Sequence, residues 1–214
     1  GTSPITNNWW LKSEDKATKT DDGKLKVTEL YYNVPDGITK DYTVEFKYQV
    51  PSDVSAQVII GKGIETSNSQ VRLKLTGGGE KYEDRVNFNK GDVTSNVNYI
   101  YGGIAKWHTV QIAVSNSTKT YKLFVDGKQV NYGTDVEFAF FSDITKTTKV
   151  IFKCDSGNLM LDDFKVFLGE PEVEKIPVIE NPTNYVDDFS AFKPVVSGTS
   201  PITNNWWLKS EDKA

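Results

Sequence analysis

Along most of this chain the hydrophobic positions recur every second residue. In Asp41–Val50 the side chains of Val44, Phe46, Tyr48 and Val50 share one face, and Glu45, Lys47 and Gln49 share the other. In Gln70–Thr76, Val71, Leu73 and Leu75 alternate with Arg72 and Lys74. The same spacing predicts strands over Lys24–Tyr32, Ala56–Gly61, Lys81–Asn89, Lys106–Ser115, Thr120–Val125, Val136–Phe141, Lys149–Cys154 and Leu159–Leu168. Turn residues punctuate the strands: Asp22-Gly23, Pro35-Asp36-Gly37, Pro51-Ser52-Asp53 and Gly77-Gly78-Gly79. Asp126-Gly127 predicts a two-residue hairpin, because a type I′ turn needs positive φ at both positions. Lys90–Gly103 reads as a longer loop carrying Tyr99 and Tyr101. No segment keeps a helical period. Many short strands joined by Gly, Pro and Asp turns predict an all-β fold, an antiparallel two-sheet β-sandwich.

A second pattern lies over the first. Gly1–Ala17 reads GTSPITNNWWLKSEDKA, and Gly198–Ala214 repeats it letter for letter. The chain therefore reads as one period of a tandem array plus the opening of the next. Glu170–Asn184, with three prolines and four glutamates, reads as a semi-extended linker. Tyr185–Phe189 (YVDDF) then starts a fresh strand. The expected organisation is a sandwich over 1–170, a linker over 171–184, and over 185–214 the first strand and Trp-Trp segment of the next repeat. In this shifted frame the sandwich's first strand is carried to the C-terminal end.

Composition narrows the partners. A hydrophobic content of 37% supplies a packed core. A net charge of −4 with interspersed signs gives no electrostatic case for nucleic acid. No apolar run is long enough to span a bilayer as a helix, so no membrane insertion is expected. Cys154 is the single cysteine, which leaves neither an intramolecular disulfide nor a cysteine metal site.

Several stretches in their order resemble a known family: Asp187-Asp188-Phe189, TVEFKYQV (Thr43–Val50), WHTVQIAV (Trp107–Val114), YKLFVDGKQV (Tyr121–Val130) and GNLMLDDFKVF (Gly157–Phe167). Together they resemble the concanavalin A-like, laminin-G-like jelly-roll domains of bacterial surface proteins and glycan-degrading enzymes. The resemblance covers nearly the whole period and implies a jelly-roll sandwich at the bacterial cell surface. It leaves function open, because that fold hosts lectins, carbohydrate-binding modules, glycosidases and spacers.

Catalysis is not expected. Jelly-roll glycosidases carry E-x-D-x-E on one strand, and this chain has no such run. Glu45 stands alone and reads as a solvated outward position, and His108, the only histidine, reads as structural. The resemblance implies that first and last strands are neighbours, which would bring Asp187 and Asp188 near Asp162 and Asp163 as a structural calcium site. The same aspartates could instead end strands and blunt an edge. A glycan site needs exposed rings with polar partners, and the candidates are Trp9, Trp10, Tyr31, Tyr32, Tyr82, Tyr99 and Tyr101, the last two with Asn96 and Asn98. Adjacent aromatics on a strand face opposite ways, so one of each pair is expected in the core. Asn116-Ser117-Thr118 is a glycosylation acceptor pattern.

The expected function is a non-catalytic repeat unit of an extracellular protein, a stalk or fibre building block whose partners are neighbouring repeats or copies of itself. Trp206, Trp207, Tyr185 and Phe189 would make the contacts between units, by strand addition if Tyr185–Phe192 is donated to a neighbour. The alternative is a non-catalytic carbohydrate-binding module gaining avidity from its copies.

Overall fold

The computed structural model describes residues 9–11, 14–79, 83–100, 103–171, 185–187, 201–202 and 206–207, of which 10, 14, 93–100 and the three last segments are described by their backbone alone. The strands are β1 (Trp9–Trp10), β2 (Ala17–Lys19), β3 (Leu25–Val27), β4 (Glu29–Ile38), β5 (Tyr42–Gln49), β6 (Ser55–Gly61), β7 (Ser69–Thr76), β8 (Arg85–Lys90) and β9 (Val93–Ile100) in the first half. The second half carries β10 (His108–Ser115), β11 (Thr120–Val125), β12 (Lys128–Gln129), β13 (Phe138–Ala139), β14 (Thr147–Cys154), β15 (Leu159–Leu168), β16 (Tyr185–Asp187), β17 (Pro201–Ile202) and β18 (Trp206–Trp207). Among the described residues there is no α-helix.

Two antiparallel sheets face each other. One has the order β1-β4-β14-β6-β7-β8-β9. The other runs β12-β11-β10-β5-β15-β3-β2, with β13 on β11 and β16 on β15. The alternation seen in the sequence now has its cause: Val44, Phe46, Tyr48 and Val50 all sit in the core between the sheets, as do Val71, Leu73 and Leu75. The hairpin at Asp126-Gly127 has φ of 49° and 73° at its two positions.

The repeated segment supplies the centre of that core. In β1, Trp9 pairs with Tyr32 and Trp10 with Tyr31 at the edge of the seven-stranded sheet. The Trp9 side chain is 0% exposed. Its ring lies 4.7 Å from that of Phe164, 5.0 Å from Tyr32 and 6.4 Å from Phe152, centroid to centroid. Phe164 comes from the opposite sheet, so this aromatic cluster ties the two layers together.

Phe164 reaches the core through a β-bulge. Leu159 and Leu161 point inward, and strict alternation would send position 163 inward next. The pairing of β15 with β5 instead shifts register between Asp162 and Lys165, and Asp163 takes φ 49°. The extra residue flips the parity, so Phe164 and Val166 face inward and the two carboxylates stay out of the core.

The structure corrects several strand expectations. Lys24–Tyr32 is two strands in different sheets, because the chain crosses between layers at Thr28, whose N–H donates to the Lys16 carbonyl at 2.7 Å. Pro35-Asp36-Gly37 does not end a strand. It is an irregularity inside β4, with Asp36 and Gly37 at φ 54° and 67°. Val93–Ile100 is strand β9 on β8, not loop, and Tyr99 stands there opposite Val86. Only Phe138–Ala139 of the stretch Val136–Phe141 is strand.

Candidate functional site

Of the predicted glycan aromatics, the three whose side chains are described, Trp9, Tyr31 and Tyr32, present no exposed ring. Trp9 and Tyr32 are in the core. Tyr31 lies on the outer face of the seven-stranded sheet, but it is only 8% exposed, packed with Ile59 and Ile151, and its hydroxyl donates to Glu29. Burial raises its pKa first, and the Glu29 carboxylate adds to the shift. Tyr99 is placed by its backbone only. Tyr82 and Tyr101, with the side chain of Trp10, lie outside the described residues.

Of the four aspartates put forward for calcium, Asp162 and Asp163 sit at the bulge. Asp163 lies 2.5 Å from Lys47 in an ion pair, and its N–H donates to Asp162 Oδ1 at 3.0 Å. Burial raises the Asp162 pKa, and the Asp163 charge adds to it. Strand neighbourhood is as the resemblance implied: β16 pairs with β15, Asp187 opposite Phe164 and Tyr185 opposite Val166. The Asp187 side chain, with Asp188 and Phe189, lies outside the described residues. Among the described residues no three carboxylate, histidine or cysteine side chains gather as a metal site.

The second Trp-Trp copy, Trp206–Trp207, pairs antiparallel with Pro201–Ile202 and comes within 8 Å of β1. The Trp-Trp pairs of the two copies thus lie near each other, Trp9–Trp10 paired in the seven-stranded sheet and Trp206–Trp207 outside it.

Sequence reasoning missed the outer face of the nine-stranded sheet. Register places Phe124, Gln111, Glu45 and Lys165 in one row across β11, β10, β5 and β15. Glu45 is not the solvated residue expected; it is 4% exposed, because neighbours on both sides cover it. Gln111 donates to its Oε2 at 2.7 Å and Lys165 to its Oε1 at 2.8 Å. Beside this row lies a groove of about 200 Å³, lined in part by Asp41, Ser115, Ser117, Lys122, Glu137 and Glu170. Ser115 and Ser117 hydroxyls donate to Asp41 Oδ2 at 2.9 and 3.1 Å. Burial pushes the Asp41 carboxyl up, but these hydrogen bonds outweigh it and hold the pKa below the ordinary value. Lys122 bonds Glu170 at 2.6 Å, which raises its pKa against the opposing effect of burial. The face is thus rich in carboxylates, hydroxyls and amides fixed in place, with Phe124 half-buried at its margin.

His108 is buried and structural in its contacts. Its Nε2 lies 3.1 Å from Asp84 and its Nδ1 2.8 Å from Asp126. Asp84, itself 2% exposed, also accepts N–H groups from Gly78, Ala105 and Lys106. The node ties Gly78, Asp84, Ala105 and Lys106 to the start of β10. Asn116 is buried, with its Nδ2 donating to the Lys40 carbonyl at 2.8 Å, so its amide is engaged rather than presented as a glycosylation acceptor.

No protein-family model matches the sequence, and no curated protein matches it. Among solved structures the chain is similar to a sialidase, at 17% identity over 76% of this chain and 16% of that one, with a TM-score of 0.51. It is similar to a mutant of Trypanosoma rangeli sialidase displaying trans-sialidase activity, at 9% identity over 74% of this chain and 27% of that one, TM-score 0.50. A match to CG-16, a homodimeric agglutinin from chicken liver, has 15% identity, covers 65% and 99% of the two chains, and has a TM-score of 0.44. The chain spans less than a third of either sialidase. At these identities the likeness is one of fold, consistent with the concanavalin A-like jelly roll that the sequence resembles.

Proposed function

We propose that the chain is a non-catalytic structural module, one building block of a repetitive extracellular stalk or fibre at a bacterial surface. The observation that supports this is the place of the repeated segment: Trp9 lies at the centre of the aromatic cluster joining the two sheets. A segment that repeats because it is part of the fold marks the start of another folded unit. The test is a two-period protein, residues 1–197 followed by 1–214, compared with the single chain by scanning calorimetry and small-angle scattering. The reading expects two units melting at the same temperature and an elongated particle. A second period that stays unfolded would overturn it.

A second reading, a carbohydrate-binding module, is favoured by the outer face around Glu45 and the Asp41–Lys122 groove. Fixed acceptors and donors beside a half-buried ring suit sugar hydroxyls and C–H faces. A glycan array probed with the native chain and with Gln111→Ala tests it; binding that the substitution abolishes supports it, and no binding removes it.

A further inference from the structure

Among the described side chains, the aromatic ring that solvent reaches most is that of Tyr132, which is 49% exposed. It stands in the connection from β12 to β13. That connection meets the turn between β8 and β9 on the side of the sandwich. There the Gly91 N–H donates to the Ala139 carbonyl at 3.1 Å, and Lys90 Nζ lies over the Tyr132 ring, 5.1 Å from its centroid. The ammonium covers one face of the ring. A side chain that is half exposed with one face covered has its other face open to solvent.

The ring is held before any ligand arrives. The Tyr132 N–H donates to the Asp135 carbonyl at 2.8 Å and the Asp135 N–H to the Tyr132 carbonyl at 3.0 Å, which closes a tight turn through Gly133 at φ 60°. Lys90 is also ion-paired with Asp135, so its ammonium is fixed between that carboxylate and the ring. In the same connection Asn131 Nδ2 donates to the Gly133 carbonyl at 3.2 Å and Gln129 Nε2 to the Val136 carbonyl at 3.0 Å. The loop thus orients both amides, and Asn131 Oδ1 and Gln129 Oε1, on exposed residues, have no partner among the described residues. A site set in advance binds without the cost of ordering it.

The chemistry selects the ligand. An open aromatic face stacks on C–H groups and amide oxygens accept from hydroxyls, and a pyranose offers both. The charges of Lys90 and Asp135 cancel, so the ion pair at the ring gives no net charge to recruit an anion. Tyr132 and Val136 are the large apolar side chains that this connection exposes, well short of the few hundred Å² or so of contiguous apolar surface that marks a protein-docking patch.

We propose that Tyr132 is the stacking platform of a binding site for a neutral saccharide, with Asn131 and Gln129 accepting its hydroxyls and Lys90 positioning the ring. The site goes beyond the building-block reading. It shares its class of ligand with the carbohydrate-module reading and assigns that ligand to a different place from the Glu45 face.

The experiment is affinity electrophoresis of the native chain through gels holding a mixed-linkage β-glucan, an arabinoxylan or a galactomannan, with polygalacturonate as the anionic comparison. Tyr132→Ala, Tyr132→Phe and Gln111→Ala are run beside it. The expected result is retardation by at least one neutral polymer, weakened about tenfold in Tyr132→Ala and kept in Tyr132→Phe and Gln111→Ala. Tyr132 is a surface residue, so Tyr132→Ala is expected to melt within about 2 °C of the native chain. Retardation that Tyr132→Ala leaves unchanged and Gln111→Ala abolishes overturns the proposal and leaves the carbohydrate-module reading standing. Retardation by polygalacturonate alone overturns the neutral class of ligand. Retardation by none of the polymers overturns the proposal and leaves the building-block reading, which the two-period protein tests, untouched.

Discussion

Replacing Trp9 by alanine is the sharpest perturbation of the core. The side chain is fully buried, with rings of three residues from both sheets within 4.7–6.4 Å. Truncating a buried Trp costs about 3–5 kcal/mol. The cavity would open where two sheets and an edge strand meet, and among the described strands β1 is hydrogen-bonded to β4 alone. A loss of about 4 kcal/mol is expected, a change of roughly a thousandfold in the folded-to-unfolded ratio. For a domain of this size it lowers Tm by about 8–16 °C. The substitution belongs in a chain that also carries Trp206→Ala, so that the second copy cannot take its place. Urea unfolding followed by far-ultraviolet circular dichroism measures the change, with Trp206→Ala alone as the reference. That reference is expected to lie within about 0.5 kcal/mol of the native chain. A cost below about 1 kcal/mol for Trp9→Ala in this background would refute the placement of the repeated segment in the core.

Three further outcomes follow from the polar groups and the thiol. His108→Ala strips the buried Asp84 carboxylate of a partner and is expected to cost about 3 kcal/mol by urea unfolding, whereas Asp126→Asn, at an exposed partner, stays under about 1 kcal/mol. Asp162 has a raised pKa in the folded state, so its contribution is fully present below the ordinary value of 3.8 and is lost as pH rises through the folded pKa. Asp162→Asn should therefore raise Tm at pH 7 and leave it unchanged near pH 3; an equal effect at both would contradict the burial of that carboxylate. Burial pushes the Cys154 thiol up to about 11 and leaves it 6% exposed, so a thiol reagent should modify it only on unfolding. Fast labelling of the native chain would refute that packing.

The strand content was legible because most strands bury one face, and a half-buried strand writes its geometry into every second residue. Where the chain changes layer, the signal is incomplete. Lys24–Tyr32 shifts its apolar parity at Thr28-Glu29, from Leu25 and Val27 to Leu30 and Tyr32, where the chain passes from one sheet to the other; the shift is written in the sequence, but periodicity carries no label for which sheet a strand joins. The bulge at Asp162-Asp163 did leave a trace: two charges fall where one inward residue was due, and the apolar parity resumes at Phe164. The site was less legible. Trp9 and Tyr32 looked like ligand platforms because an aromatic ring is equally suited to a core and to a sugar, and only the facing sheet decides. Glu45 looked solvated because its partners Gln111 and Lys165 are distant in sequence and meet it only through strand register.

The most direct test of the account is complementation of the β4 edge by the repeated segment itself. A chain beginning at residue 12 and carrying Trp206→Ala and Trp207→Ala leaves that edge empty, and a synthetic peptide of residues 1–17 is titrated into it while Tm is recorded. The account predicts a large loss of stability without peptide and a saturable recovery with it. At a peptide concentration one hundred times Kd the gain is about 2.7 kcal/mol, or roughly 5–11 °C. A Tm equal to that of the native chain before peptide is added, or no response to the peptide, would contradict the claim that the fold is built on this segment.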